Sequence, residues 1–443
     1  MRFHAAHIGH FEMEWHMLCA FCAHVFKSFA ELKSVYNHFV CDFCYAENTP
    51  ALDDYIHVVF TLNPEIRDHA YRRPESLSAE DLYYRFHFSK DVVGMLDGMP
   101  LYDFLVDSTS VLTYLAPGET LTSDLVITPG IFTGKDLGTS AGFTLFVGEE
   151  AEAERREIVL EHRDGRYEAV APPLVQLRIE YGAAMFNFDR CTQMPGGPIN
   201  LEVRNDMDQR NSLLVLQYPP DLVAVPLAFH PALTGKNLLS NQTFRNLFRT
   251  EAIGSEEGLA VKDLTHLFTD HTGTTALYDR VGDTNAYALV RRHFEALGAV
   301  TAEHGGAIVK TIGDSIHATF PDPAKAVRAA LGMMAALDTF NRDSAETLEL
   351  KIGLHRGHSL AVMLNERIDY FGQAVNIAAR LQGLAGACEI CLSADVHDSP
   401  GVGQALLGHN VEPAVGIMKG VSGELPVYRV AVPCPGANSA PDS

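Results

Sequence analysis

The chain has no uninterrupted apolar run long enough to cross a bilayer. Its best candidate, Leu213 to Phe229, is broken by Gln217, Pro219, Pro220, Asp221 and Pro226. The sequence is also short of positive charge. Lys and Arg number 34 against 56 Asp and Glu, for a net charge of −22 over 443 residues. Phosphate backbones and anionic lipid surfaces demand basic surface, so neither nucleic acid nor membrane is expected as a partner. A single nucleotide is not excluded, because it needs only a local pocket of Lys and Arg plus a metal ion. No apolar core region follows Met1; the first ten residues are polar and His-rich, which argues against a leader and for a cytoplasmic protein.

Cysteine is sparse, eight residues in all, yet four of them fall in the pattern C-x2-C-x18-C-x2-C. Thiolates in i, i+3 pairs on tight turns chelate tetrahedral zinc, so Cys19, Cys22, Cys41 and Cys44 are expected to hold a structural Zn2+ in a zinc ribbon over residues 1–49. Four thiolates leave no open position for catalysis. Phe11, Met13, Trp15 and Met17 alternate with polar residues, the mark of a strand running into Cys19.

Residues 50–235 show short alternating runs, among them Ile56–Leu62, Tyr83–Phe88, Gly142–Val147, Leu174–Ile179 and Leu213–Tyr218. Turn clusters such as Pro117-Gly118 and Pro195-Gly196-Gly197-Pro198 separate them, which predicts an all-β, sandwich-like domain. It contains no catalytic constellation; a regulatory or scaffolding role, with an unknown ligand or protein partner, is expected. Over 236–259 the period changes to that of one amphipathic helix, followed by a Gly/Ser/Glu linker. Residues 260–433 alternate strands and helices. Val261–Phe268, Leu348–His355 and Ser359–Leu364 read as strands, Asp283 as a helix cap and Pro323 as a helix start. The order β-α-β-β-α-β suggests a ferredoxin-like core, making the whole an α+β multidomain protein. Residues 434–443 read as a disordered tail.

The chemistry-bearing residues lie in this last region. Asp270 follows the first strand, and Asp314 sits at the tip of a hairpin in Lys310-Thr311-Ile312-Gly313-Asp314. Taken locally, Lys310 and Asp314 look like a solvated surface pair. In a βαββαβ sheet, however, the first and third strands are neighbours, so Asp270 and Asp314 can reach one point and offer hard oxygens to magnesium. Asn376 and Arg380, four apart on an Ala-rich helix, share a face from which the guanidinium can stabilise a phosphoryl group. Lys419 lies in a Gly-rich approach to the final strand. Cys388 and Cys391 sit in one strand pattern, which points them to opposite faces.

Five fragments in order are Phe-Thr-Asp-x-x-Gly around Asp270, Lys-Thr-Ile-Gly-Asp at 310–314, Ile-Gly-Leu-His-x-Gly at 352–357, Gly-x-x-Val-Asn-x-Ala-Ala-Arg-Leu at 372–381 and Lys-Gly at 419–420. Together they resemble the catalytic domain of class III nucleotide cyclases. The front portion is similar to the zinc-ribbon-plus-β region that precedes that domain in some bacterial cyclases. The resemblance implies a homodimer with composite sites that converts ATP to cyclic AMP. Asp270 and Asp314, with the carbonyl of His271, would bind two Mg2+ or Mn2+ ions. Lys310 and Asp369 would read the base, Asn376 orient the ribose, Arg380 stabilise the transition state and Lys419 hold the terminal phosphates. His271, Thr272 and His317 stand where many relatives carry apolar residues. Adenine presents an acceptor and a donor to a reader. Lys310 is donor-only and Asp369 acceptor-only, so the pair favours ATP over GTP.

Overall fold

A computed structural model describes residues 6, 9–41, 43–44, 46–68, 73, 76–89, 92–93, 95–96, 99–137, 142–151, 156–163, 166–171, 193–219, 227–254, 258–344, 346–417 and 423–433. The alternation at the start of the chain forms the strand Phe11–Leu18, which buries Trp15 and Met17. It lies between Val25–Phe29 and Ile56–Leu62 in a three-stranded antiparallel sheet, so its pairing runs across residue 49.

Eight strands between Thr109 and Tyr218 form the second sheet. The strand Gln193–Asn205 joins its halves. It pairs with Gly142–Ala151 at its start, then with Arg156–Arg163 and Thr120–Ile127. The halves enclose a core that includes Phe132, Leu145, Leu201 and Val215. Pro195-Gly196-Gly197-Pro198 is therefore not a turn between strands but part of one. It falls where the strand changes partners, and Gly197 at φ 120° supplies the bend. Tyr83–Phe88 is not a strand either. Ser78 Oγ caps a short helix by accepting from Asp81 N, and a wide helical turn continues over Leu82–His87. The run Leu174–Ile179 lies outside the described residues, as does the tail 434–443.

The single helix expected over 236–252 is two: α1 (Gly235–Leu239) and α2 (Gln242–Leu247). Asn241 breaks the run because its side chain caps α2, accepting from Phe244 N at 3.1 Å.

The C-terminal sheet begins with β1 (Leu259–Thr272), longer than the pattern suggested and running through Asp270 rather than ending before it. Then come α3 (Thr274–Val281), α4 (Asp283–Glu303), β2 (Ala307–Ile312), β3 (Ser315–Phe320) and α5 (Pro323–Arg342). Asp283 does not cap α4. Gly282, at φ 79°, holds the cap position and Asp283 is the first helical residue. β4 (Glu349–Leu364) is one continuous strand, not two, since nothing in Arg356-Gly357-His358 turns the chain; its hairpin partner is β5 (Arg367–Phe371). The rest is α6 (Gln373–Leu384), β6 (Glu389–Ser393), β7 (Val411–Gly416) and β8 (Leu425–Ala431). Cys388 precedes β6 at φ 55° and Cys391 is buried inside it, so the two do not share one strand.

The strand order is β2-β3-β1-β4-β6-β8-β7, with β5 beside β4, which makes the first and third strands neighbours. α4 and α5 cover one face over a core of Leu267, Ala318, Val327, Met333 and Ile352. At the sheet's other end Asp53 accepts from Lys262 N and Asp263 N at 2.7 and 3.1 Å. These bonds hold β1 where its register on β4 shifts, between Val261 and Leu264. Among the described residues no helix is long and apolar enough to cross a membrane.

Candidate active site

Asp270 stands near the C-terminal end of β1. Its Oδ1 accepts from Ser315 Oγ at 2.9 Å and its Oδ2 from Gln382 Nε2 at 3.1 Å. Ser315 follows Asp314, half-buried at the tip of the β2–β3 hairpin, where Gly313 at φ 62° makes the turn. Neighbouring strands thus bring both carboxylates to one end of the sheet. Among the described residues Asp270 forms no ion pair; both donors on it are neutral. Hard oxygens without a built-in cation suit a divalent metal ion. The imidazole of His271 points inward. Its Nδ1 lies 3.3 Å from Glu349 O and its ring 4.5 Å from that of His293. Burial holds both pKa values down, that of His293 to about 3. The Nε2 of His271 is buried and has no hydrogen-bond partner among the described residues.

Gln382 reaches Asp270 because α6 lies directly on the backbone of β4. A Cβ on Gly353 would stand 2.1 Å from Gln382 N, so glycine is required there. α6 buries Ala374, Ile377, Ala378 and Leu381 against the sheet and leaves Asn376 and Arg380 exposed on its other face.

Lys310 does not pair with Asp314, four residues on. Its Nζ lies 2.5 Å from Oδ2 of Asp369, across 59 residues of chain. Asp369 is 6% exposed, and its Oδ1 accepts from Tyr370 N at 2.8 Å. Opposite Lys310 on β3 is His317, whose Nε2 lies 3.0 Å from Nδ1 of His266. Both rings are buried. Burial pushes the His266 pKa down to about 3 and that of His317 well below its ordinary value. Neutral rings beneath Lys310 leave its charge directed at Asp369. Lys419 lies outside the described residues.

A second candidate centre lies far along the chain. The Sγ atoms of Cys19, Cys22, Cys41 and Cys44 all lie within 4.8 Å of one another. Cys19 Sγ also receives Phe21 N and Asn48 Nδ2, each at 3.5 Å. Hydrogen bonds among the thiols hold the Cys19 pKa far below the ordinary thiol value, Cys22 contributing first, while burial pushes Cys22 up and the hydrogen bond to Cys19 pushes Cys44 up.

Two groups that hold Asp270 escaped the sequence reading. Ser315 is an ordinary hairpin residue, and Gln382 falls two positions after Arg380 on a helix where nothing local distinguishes it.

Residues 259–407 match the model of the adenylate and guanylate cyclase catalytic domain, and residues 2–166 match a family of unknown function. An adenylate cyclase of Anabaena cylindrica is 33% identical over 153 residues, which cover 31% of this chain and 30% of that protein. Adenylate cyclase 2 of Rhizobium meliloti is 26% identical over 166 residues, covering 34% and 46%. The chain thus spans less than half the length of these relatives. The catalytic core of a rhodopsin-guanylyl cyclase with converted specificity, in complex with ATPαS, is 25% identical and covers 39% of this chain and 97% of that one. Its TM-score of 0.35 is too low to bear on fold or function. The C-terminal region carries a class III adenylate/guanylate cyclase catalytic domain.

Proposed function

We propose that the protein is an adenylate cyclase, which converts ATP to 3′,5′-cyclic AMP and pyrophosphate. The observation that carries this reading is the Lys310–Asp369 pair, 2.5 Å apart. A donor-only group beside an acceptor-only group matches the acceptor and donor edge of adenine; guanine presents the reverse. A site built to hydrogen-bond one base rejects the other by leaving buried polar groups unpaired.

In this reading Asp270 and Asp314 hold two Mg2+ or Mn2+ ions, with the carbonyl of His271 as a further ligand. A divalent ion held by these residues would supply Lewis acidity toward the attacking 3′-hydroxyl and offset phosphate charge. Asn376 orients the ribose. Arg380 stabilises charge on the α-phosphate as pyrophosphate leaves in line. Lys419 holds the terminal phosphates. No side chain need act as general base. Cys19, Cys22, Cys41 and Cys44 hold a structural zinc ion in a ribbon.

The catalytic sheet, with its order β2-β3-β1-β4, is read as a ferredoxin-like core. Two copies pair head to tail, with the metal carboxylates of one facing the base readers of the other. Large apolar side chains support this. Phe371 is 69% exposed, Leu364 52%, Ile312 49% and Leu360 40%, all on the strands that carry or flank Lys310 and Asp369. Incubating the protein with ATP or GTP and Mg2+ or Mn2+, then identifying the product, tests the activity. Cyclic AMP from ATP is expected; no cyclic product under either metal contradicts the reading.

A further inference from the structure

α2 touches both strands that carry the Lys310–Asp369 pair. Its first residue, Gln242, accepts from Ile308 N through Oε1 at 2.7 Å. Ile308 borders the register shift on β2 that ends at Lys310. One turn on, Arg245 donates Nη2 to Ile368 O at 2.6 Å and Nη1 to Leu239 O at 3.2 Å. Ile368 immediately precedes Asp369. β2 pairs with β3, and β5 with β4, so no ladder joins the two strands that hold the pair. α2 fastens one to the other through main-chain groups, two residues from Lys310 and one from Asp369.

The fastening is itself anchored. Phe244, 1% exposed, meets Trp15 edge-on at 6.3 Å and stacks on Phe248 at 5.0 Å. Trp15 belongs to the strand that runs into Cys19. The geometry points to Gln242 and Arg245 as positioning residues that set the spacing of Lys310 from Asp369, and through it the discrimination between adenine and guanine, while tying that spacing to the N-terminal sheet. This rests on the reading of Lys310 and Asp369 as base readers. Without the fastening the two side chains still attract, but their backbones are no longer held. The donor and acceptor then stop matching the adenine edge, whereas contacts to the phosphates are untouched.

The test uses the full chain and compares wild type with Gln242→Leu and Arg245→Met. Calorimetry gives the affinities for α,β-methylene analogues of ATP and GTP, and turnover gives kcat/KM for each nucleotide. Wild type alone tests the underlying reading: equal affinity for both analogues removes the base readers, and the inference with them. Given a preference for ATP, each variant should narrow the ATP-to-GTP ratio by about tenfold, with KM for ATP moving more than kcat. Gln242→Glu keeps an acceptor in place and should retain the wild-type ratio. If Arg245→Met does not fold, Arg245→Lys, which keeps the stem and a donor, should give an intermediate ratio. Equal losses for both nucleotides, or an unchanged ratio in folded variants, overturns the inference.

Discussion

Two carboxylates in the catalytic sheet are held in opposite ways. Asp270 accepts from two neutral donors, Ser315 and Gln382. Asp369 has a cation built in, Lys310 at 2.5 Å. Charge balance separates their uses. A carboxylate held in place but not neutralised retains its pull on a divalent ion. A carboxylate already paired gains little from a second cation, but beside its partner it offers one donor and one acceptor to a neutral, flat ligand. In the proposed reading, one strand network supplies both halves of the chemistry by varying only what stands next to an aspartate.

The largest way to break this contrast is to remove the unpaired charge. Asp270→Asn keeps the shape, and a fall in turnover of about 1,000-fold or more is expected while nucleotide affinity changes far less. Comparable turnover would mean that Asp270 holds no catalytic cation. Gly353→Ala comes next. The new Cβ stands 2.1 Å from Gln382 N and 2.6 Å from Ala378 O, so α6 must lift from β4. A loss of about 2–4 kcal/mol in unfolding free energy is expected from denaturant titration. Unaltered stability would show that the helix does not rest on that backbone. Removing one donor is milder. Gln382→Leu or Ser315→Ala should raise the Mn2+ concentration for half-maximal binding, followed by electron paramagnetic resonance, by about tenfold while leaving ATP-over-GTP preference unchanged. A changed preference would blur the division between the two aspartates.

Acid tests the buried neutral rings, His266 beside His317 beneath Lys310 and His293 against His271. His266 and His293 are each held at about 3 by burial, against about 6.5 for a free imidazole. Between those values the unfolded chain binds more protons than the folded one, so stability rises with pH. Acidifying below about 6.5 should remove about 1.4 kcal/mol per pH unit for each ring, with no contribution from this source at higher pH. Urea midpoints measured against pH, with His266→Phe giving a shallower slope, provide the check.

Legibility in the sequence follows the same divide. That Asp270 and Asp314 share one end of the sheet was legible because strand order alone makes β1 and β3 neighbours, whereas the family resemblance names Lys310 and Asp369 without their contact. The donors on Asp270 were not legible, since their contact depends on how closely α6 approaches Gly353, which is a matter of packing. The role of α2 was hidden for a related reason. One amphipathic period spanned 236–252, and only the cap made by Asn241 divides it into two helices and turns Gln242 and Arg245 toward main-chain groups more than 60 residues away. In the β region, the alternating aromatics of Tyr83–Phe88 imitated a strand while Ser78 was starting a helix. Alternation reports only the spacing of apolar side chains, and here Tyr83 and Phe88, five apart, are the buried pair.

The proposed head-to-tail pairing requires that Asp314 and Lys310 of one chain serve different nucleotides. Asp314→Ala and Lys310→Ala proteins are prepared separately and then mixed under conditions that allow subunits to exchange. Each alone should be nearly inactive. The mixture should recover cyclic AMP formation, because one of the two sites in a mixed dimer is intact. Subunit exchange, verified by differently tagged chains, without any return of activity would contradict the account.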